Sequence, residues 1–343
     1  QVAAKAGWKQ TQAEPCLFSN PRYPGALLSV HMDDILFAAD SKDVDRICKE
    51  LDRDLTIKWE GRLTDQWTKH LGVQLRRLPD CVQVRVPVKY IHDTLAEWNM
   101  EHCKPAETPM VAVTPRSVDA EPTVDEALHK RYRRTVGRLM WLLGFRPDLS
   151  FAVKELARAA ASPKAFHLTQ LKRCLRYLQG AKDWMLTLRC DHSLPEDVIA
   201  VQADASWTVP KSTSGCAIQV QNVLLESWPR TQQVSAQSSA EAEVIAINEA
   251  GKAGIFIKHL LEEVDGKKYK VCLSSDATAA IGFVRRRGVG KMRHLELKQL
   301  WAQQETNAGN LEISKISSED NLADLFTKPL KLPAFNKLVT TIG

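Results

Sequence analysis

Apolar residues along this chain fall first into short β-type runs, then into amphipathic stretches, then into an alternation of the two. Residues 1–27, with Pro15, Pro21, Pro24 and Gly25, predict irregular structure. Two apolar runs within Ala26–Ala39 (ALLSVHMDDILFAA) flank His31-Met32-Asp33-Asp34 and predict a hairpin with acids at its tip. Val44, Ile47, Leu51 and Leu55 recur at helical spacing behind Ser41, a residue type suited to an N-cap, so a helix is expected over Ser41–Asp54. Trp67–Arg76 and Cys81–Val86 predict strands and Val88–Trp98 a helix. Residues 103–128 carry Pro105, Pro109, Pro115 and Pro122 among polar residues and read as a linker. Helices are expected over Ala127–Phe145, Leu149–Ala161 and Phe166–Gly180.

From Val198 the pattern changes. Val198–Ala203 predicts a strand, and Cys216–Val220 with Val223–Trp228 a hairpin across Gln221-Asn222. A helix capped by Ser238 or Ser239 is expected through Glu249, and a second over Gly254–Val264. Then come a strand at Lys270–Ser274 ending at Asp276, a helix at Thr278–Arg287, a strand at Leu311–Ile316 and a helix at Asn321–Lys328. This order suits a mixed sheet with flanking helices.

The run Val198–Trp207 (VIAVQADASW) ends near a lone acid, Asp204. A carboxylate at the end of a buried strand is costly unless something pairs with it. Taken singly, Asp204 reads as an ordinary strand-end aspartate. Glu243, Asp276 and Asp324 each offer a further acid in an apolar setting, and together the four predict convergence around divalent metal. Hard cations take oxygen ligands, and clustered acids without a cation raise one another's pKa. Glu241, two residues before Glu243, is expected to point elsewhere and to be solvated.

Composition narrows the classes. The length of 343 residues allows two or three domains, and 44% hydrophobic with 26% charged residues is ordinary for a soluble globular protein. No apolar run is long enough to span a bilayer. No secretory signal is visible, and a start at Gln1 reads as that of a fragment, a processed product or a truncation. The 8 cysteines are scattered without a CxxC pair, which disfavours zinc and disulfide frameworks and suits a reducing compartment. Net charge is +6 and uneven: residues 1–190 hold 30 Lys and Arg against 23 Asp and Glu, residues 191–343 hold 17 against 18. Lys130, Arg131, Arg133 and Arg134, and the cluster Arg285, Arg286, Arg287 and Arg293 near Asp276, read either as solvated helix faces or as phosphate contacts. His294 beside that cluster reads as a loop histidine or as an aid to proton transfer.

Several words of the sequence are similar to those of one family. Glu14-Pro15-Cys16-Leu17-Phe18, SVHMDDILFAAD, HLGVQL, KYIHDTLAEWNM and ETPM at 107–110 resemble copia-type LTR-retrotransposon Pol polyproteins. So do RYRRTVGRLMWLLGFRPDLSFAVKELAR, VQADASW, STSGCAIQ, SSAEAEVIAI, SSDATAAIGF and EDNLADLFTKPL, so that the resemblance covers essentially the whole chain. It implies a mixed α+β and α/β architecture. A partial reverse-transcriptase palm would occupy 1–102, a linker 103–128, a helical thumb and connection 129–192, and an RNase H-like mixed sheet 193–343. It implies that Asp204, Glu243, Asp276 and Asp324 are both catalytic and metal ligands for two Mg²⁺ ions, with Mn²⁺ as a substitute. Asp33 and Asp34 would be metal ligands only in a full-length polymerase, whose third carboxylate comes from an earlier strand. His31 stands where the family usually has Tyr.

The resemblance implies cleavage of RNA in RNA–DNA hybrids, attached to an incomplete RNA-directed DNA polymerase. The partners would be hybrid or template–primer nucleic acid and the rest of the polyprotein, with no membrane. The place would be intracellular, in a cytoplasmic particle or the nucleus. Two alternatives remain: a decayed remnant that binds nucleic acid without cutting it, and another acid-rich nuclease or transposase of the same fold class.

Overall fold

The computed structural model describes residues 7–53, 55–112, 121–288 and 297–343. Strands β1 (Lys9–Gln10), β2 (Leu17–Ser19), β3 (Leu27–His31) and β4 (Asp34–Ala38) form an antiparallel sheet in that order. The first two lie in the stretch expected to be irregular. The β3–β4 hairpin sets His31 opposite Asp34 and turns through Met32 at φ 52°. Helix α1 (Val44–Asp52) buries Ile47 and Leu51 in a core with Trp8, Tyr23 and Leu28.

The stretch Trp67–Arg76 is a hairpin rather than one strand. Strands β5 (Thr68–His70) and β6 (Val73–Arg77) meet at a turn in which Leu71 and Gly72 both take positive φ, 46° and 83°. Strand β7 (Val82–Arg85) follows, then helix α2 (Val88–Ala96). The sheet is completed by β8 (Leu186–Leu188), which sets Leu188 against Val82 from a part of the chain whose pattern predicts only helices and connections.

Three helices, α3 (Glu126–Leu142), α4 (Ser150–Arg158) and α5 (Ala165–Gly180), form the middle layer. Asp125 caps α3 by accepting from the Leu128 N–H at 2.9 Å. Tyr132, Leu139, Leu156, Leu171 and Leu175 fill the layer's core. At its edge Arg146 and Asp148 are buried together, 2.7 Å apart, and the Tyr177 hydroxyl donates to the same Asp148 at 2.7 Å.

The third sheet holds β9 (Val198–Ser206), β10 (Thr213–Val220), β11 (Val223–Thr231), β12 (Lys270–Ser275) and β13 (Leu311–Lys315). Its order is β11-β10-β9-β12-β13; β10 is antiparallel to both β9 and β11, β12 is parallel to β9, and β13 is parallel to β12. Strand β9 is therefore central, with Ile199, Val201 and Ala203 fully buried.

Helix α6 spans Ser239–Asp265 without interruption, where two helices divided between Glu249 and Gly254 were expected. Gly251 and Gly254 are not breaks. A β-carbon at Gly251 would lie 3.0 Å from the Trp301 ring, and one at Gly254 would lie 2.6 Å from a Val201 methyl, so both let the helix approach its neighbours. Glu241 is buried rather than solvated. Its carboxylate accepts from the Gln237 N–H at 2.7 Å while the Ser238 hydroxyl accepts from the Glu241 N–H at 3.2 Å, which caps α6 from both sides.

Helices α7 (Thr278–Arg285), α8 (Trp301–Asn307), α9 (Asp324–Thr327) and α10 (Leu332–Ile342) complete the fold. The helix expected over Asn321–Lys328 is a single turn, since Asn321 and Leu322 instead bond to β9: Leu322 N–H to Gln202 Oε1 at 2.6 Å, Asn321 Nδ2 to Ala203 O at 3.2 Å. Helix α10, not expected, packs Phe335 edge-on to Tyr177 with ring centroids 5.6 Å apart.

Candidate metal centre

Four acids are carried to one end of the third sheet by different elements. Asp204 is near the end of β9, Glu243 is in the second turn of α6, Asp276 directly follows β12 and Asp324 opens α9. Asp204, Glu243 and Asp276 each present a carboxylate oxygen, and these oxygens all lie within 4.8 Å of one another. No other trio of potential ligands is this close among the described residues.

The environment of each acid differs. Burial, then the charges of Asp204 and Asp276, push Glu243 up to about 9, although the Ala205 N–H donates to it. Its Oε2 is buried with no hydrogen-bond partner among the described residues. Asp276 accepts a hydrogen bond from the Ser318 hydroxyl, and Asp204 accepts one from the Thr327 hydroxyl. Asp324 stands outside the trio. Burial, then the charge of Asp204, raise it to about 7, and a hydrogen bond shared with Asp204 adds to this, against the pull of Lys328. The Lys328 Nζ sits 2.7 Å from Asp324 Oδ1 and 3.7 Å from Asp204 Oδ2. Burial lowers the Lys328 pKa, but the charges of Asp204, Asp324 and Asp276 outweigh it, and the net shift is upward.

These residues fit a divalent cation. The donor set is all oxygen, and the Glu243 Oε2 is a buried acceptor with no hydrogen-bond partner among the described residues. Ser318, Thr327 and Lys328 have no role in the sequence reading. Lys328 alone carried a signal, lying four residues after Asp324 on the same helical face.

Asp33 and Asp34 are exposed at the β3–β4 tip and form no part of a close trio of potential ligands. The basic residues divide. Lys130 pairs with Glu126 at 2.6 Å, Arg134 with Glu97 at 3.6 Å, and Arg131 lies 4.2 Å over the Trp98 ring. Arg285 donates to Ile313 O at 2.8 Å, and Arg286 lies 4.9 Å over the Phe283 ring. Arg133 and Arg287 are exposed. Arg293 and His294 lie outside the described residues.

A five-stranded sheet of this order and direction, with acids gathered at one end of its central strand, defines an RNase H-like fold. More particularly, the chain is similar to retrotransposon Pol polyproteins over most of its length. It is 27% identical over 320 residues to the retrovirus-related Pol polyprotein from transposon RE1 of Arabidopsis thaliana, covering 92% of this chain and 21% of that protein. It is 25% identical over 345 residues to that from transposon TNT 1-94 of Nicotiana tabacum, covering 97% of this chain and 26% of that protein. The chain thus spans about a quarter or less of the length of these relatives. Among solved structures it is similar to LC11-RNase H1 in complex with RNA/DNA hybrid, at 17% identity and TM-score 0.30 over 41% of this chain and 99% of that one. It is also similar to the foamy viral protease-reverse transcriptase in complex with double-stranded DNA, at 13% identity and TM-score 0.28 over 89% of this chain and 49% of that one. No protein-family profile matches the chain. Among the described residues no helix is long and apolar enough to cross a membrane.

Proposed function

We propose that the chain carries the ribonuclease H centre of a copia-type Pol polyprotein and cleaves the RNA strand of RNA–DNA hybrids. The observation that carries this reading is the trio Asp204, Glu243 and Asp276 around the orphaned Glu243 Oε2. Two Mg²⁺ ions, or Mn²⁺ in their place, would polarise the attacking water and stabilise the leaving oxyanion when bound. Asp204 is the shared ligand, because it reaches Glu243 and Asp276 on one side and Asp324 on the other. Arg133, exposed on α3, and Arg287, exposed just beyond α7, hold backbone phosphates without reading sequence. Asp33 and Asp34 become metal ligands only where a further strand supplies a third carboxylate.

In this reading residues 1–102 are a palm portion, 103–128 a linker, 129–192 the thumb and connection, and 193–343 the nuclease. The chain works beside the rest of the polyprotein, in a cytoplasmic particle or the nucleus.

The test is an end-labelled RNA–DNA hybrid incubated with the purified chain and Mg²⁺ or Mn²⁺. Internal cuts in the RNA are expected, and Glu243→Gln abolishes them. Hybrid binding with no cutting under either metal would leave a decayed binding remnant instead. Trimming of single-stranded DNA from its 3′ end would favour an exonuclease of the same fold class.

A further inference from the structure

The acid cluster has two unlike halves. On one side Asp204, Glu243 and Asp276 converge; among the described residues their closest basic contact is the longer one from Lys328 to Asp204, 3.7 Å, and Glu243 Oε2 is unsatisfied. On the other, Asp324 and Asp204 already share a cation of the chain's own: the Lys328 ammonium, 2.7 Å from Asp324 Oδ1 and 3.7 Å from Asp204 Oδ2. We propose that Lys328 is a resident counter-cation, and that the centre fills in order. A first divalent cation enters at Asp204, Glu243 and Asp276. A second enters between Asp204 and Asp324 only as the ammonium leaves. This inference rests on the metal-centre reading above and assigns a positioning role to a residue outside the ligand set.

Three features of Lys328 suit it to be displaced. It closes α9 in an extended conformation, φ −149° and ψ 155°, so its side chain is not locked into a helical turn. Its side chain is 40% exposed while those of Asp204 and Asp324 are 5% and 9% exposed, so the ammonium has a path to solvent that the carboxylates lack. A lysine also carries its charge on a flexible four-carbon stem, which lets the charge move without the backbone.

The remaining groups facing the cluster are neutral donors. The Ser318 and Thr327 hydroxyls and the Ala205 N–H satisfy single lone pairs and do not offset charge. Lys328 is thus the only positive group paired with these four acids among the described residues. The two halves therefore differ in what a cation must overcome. The first half offers carboxylates held close, with only the longer 3.7 Å contact from Lys328 to Asp204 to offset them. The second requires an ion pair to be broken first, so the second ion binds more weakly than the first.

The experiment titrates Mg²⁺, and separately Mn²⁺, into the full chain without nucleic acid. Heat of binding and the rise in melting temperature are followed. Two steps are expected in the parent. Lys328→Met should strengthen the second step at least ten-fold and leave the first within two-fold. Lys328→Arg, which keeps the charge, should retain the weak second step. If Lys328→Met does not fold, Lys328→Gln reports the same shift, since it too removes the charge while keeping a polar end at a position that is 40% exposed. Unchanged steps in a folded neutral variant overturn the proposal while leaving the metal centre standing. Failure of the parent to bind either metal overturns the metal-centre reading itself.

Discussion

Gly254 faces Val201 so closely that a β-carbon on the glycine would sit 2.6 Å from a Val201 methyl and 2.9 Å from one of Val271. The contact fixes the height of α6 above β9 and β12. Glu243 lies eleven residues earlier on the same helix, about three turns and about 16 Å away, on nearly the same face. The height set at Gly254 therefore governs how far Glu243 reaches toward Asp204. Gly254→Ala is expected to cost about 1–3 kcal/mol of stability, as overpacking does. Gly254→Val should cost more. Urea unfolding measures both, and Mg²⁺ titration of the alanine variant should show a weakened first binding step.

A similar contact controls Asp324. A β-carbon at Gly215 would meet Ala323 O and a Thr327 methyl at 2.6 Å, and Phe326 at 3.1 Å. Gly215→Ala must push α9 away from β10 and carry Asp324 with it. Hybrid cleavage should fall at least ten-fold, a loss of about 1.4 kcal/mol in transition-state stabilisation. Steady-state kinetics on a short hybrid checks this, with circular dichroism to confirm that the sheet persists.

Without metal, stability should fall as pH rises. Glu243 is held up to about 9 and Asp324 to about 7 in the folded chain, both above the ordinary carboxylate range. Between the unfolded and folded pKa values the folded state binds more protons, so raising pH removes protons that favour folding. The decline should run from about pH 4 to about pH 9, and Mg²⁺ should flatten it. Glu243→Gln should remove the upper part of the decline. Melting temperatures across that range, with and without chelator, decide the matter. A metal-free parent whose stability rises over this window would contradict the acid cluster's geometry.

The buried pair Arg146 and Asp148 is a separate test of the middle layer. Asp148 accepts from the Arg146 guanidinium at two points, 2.7 and 3.0 Å, and from the Tyr177 hydroxyl. Asp148→Ala leaves an uncompensated buried cation and should cost about 3–5 kcal/mol. Tyr177→Phe removes one hydrogen bond and should cost about 1–3 kcal/mol. Denaturant unfolding of the two variants gives the comparison.

Much of this was legible in the residues. The VIAVQADASW run placed Asp204 near the end of a central strand because it is a short apolar run rich in β-branched residues, and in the fold Ile199, Val201 and Ala203 are buried. The SVHMDDILF hairpin was equally plain. What escaped depends on partners distant in sequence. Strand β8 exists because Leu186 and Leu188 find β7, and three residues carry too little periodicity to announce that. Two helices were expected where α6 runs unbroken, and the glycines in that stretch are contact points, which only the neighbouring Val201 and Trp301 reveal. Glu241 looked solvated from its spacing alone and is buried because it turns back to cap its own helix. The roles of Ser318 and Thr327 require the fold: Ser318 meets Asp276 beyond β12, and Thr327 meets Asp204 through the docking of the α9 segment on β9.

Helix α10 and the α9 segment put Leu322, Leu325, Phe326, Phe335, Leu338 and Ile342 into the same apolar cluster as Tyr132, Leu156 and Tyr177 of the helical layer. The chain's last element thus seals a part of the molecule laid down much earlier. A fragment cut at residue 193 would carry one half of that seam bare to water and should come out of solution, while the intact chain should melt across this seam in one cooperative transition. Dissecting the activity by truncation would then misjudge it, and single-residue changes are the sounder tool.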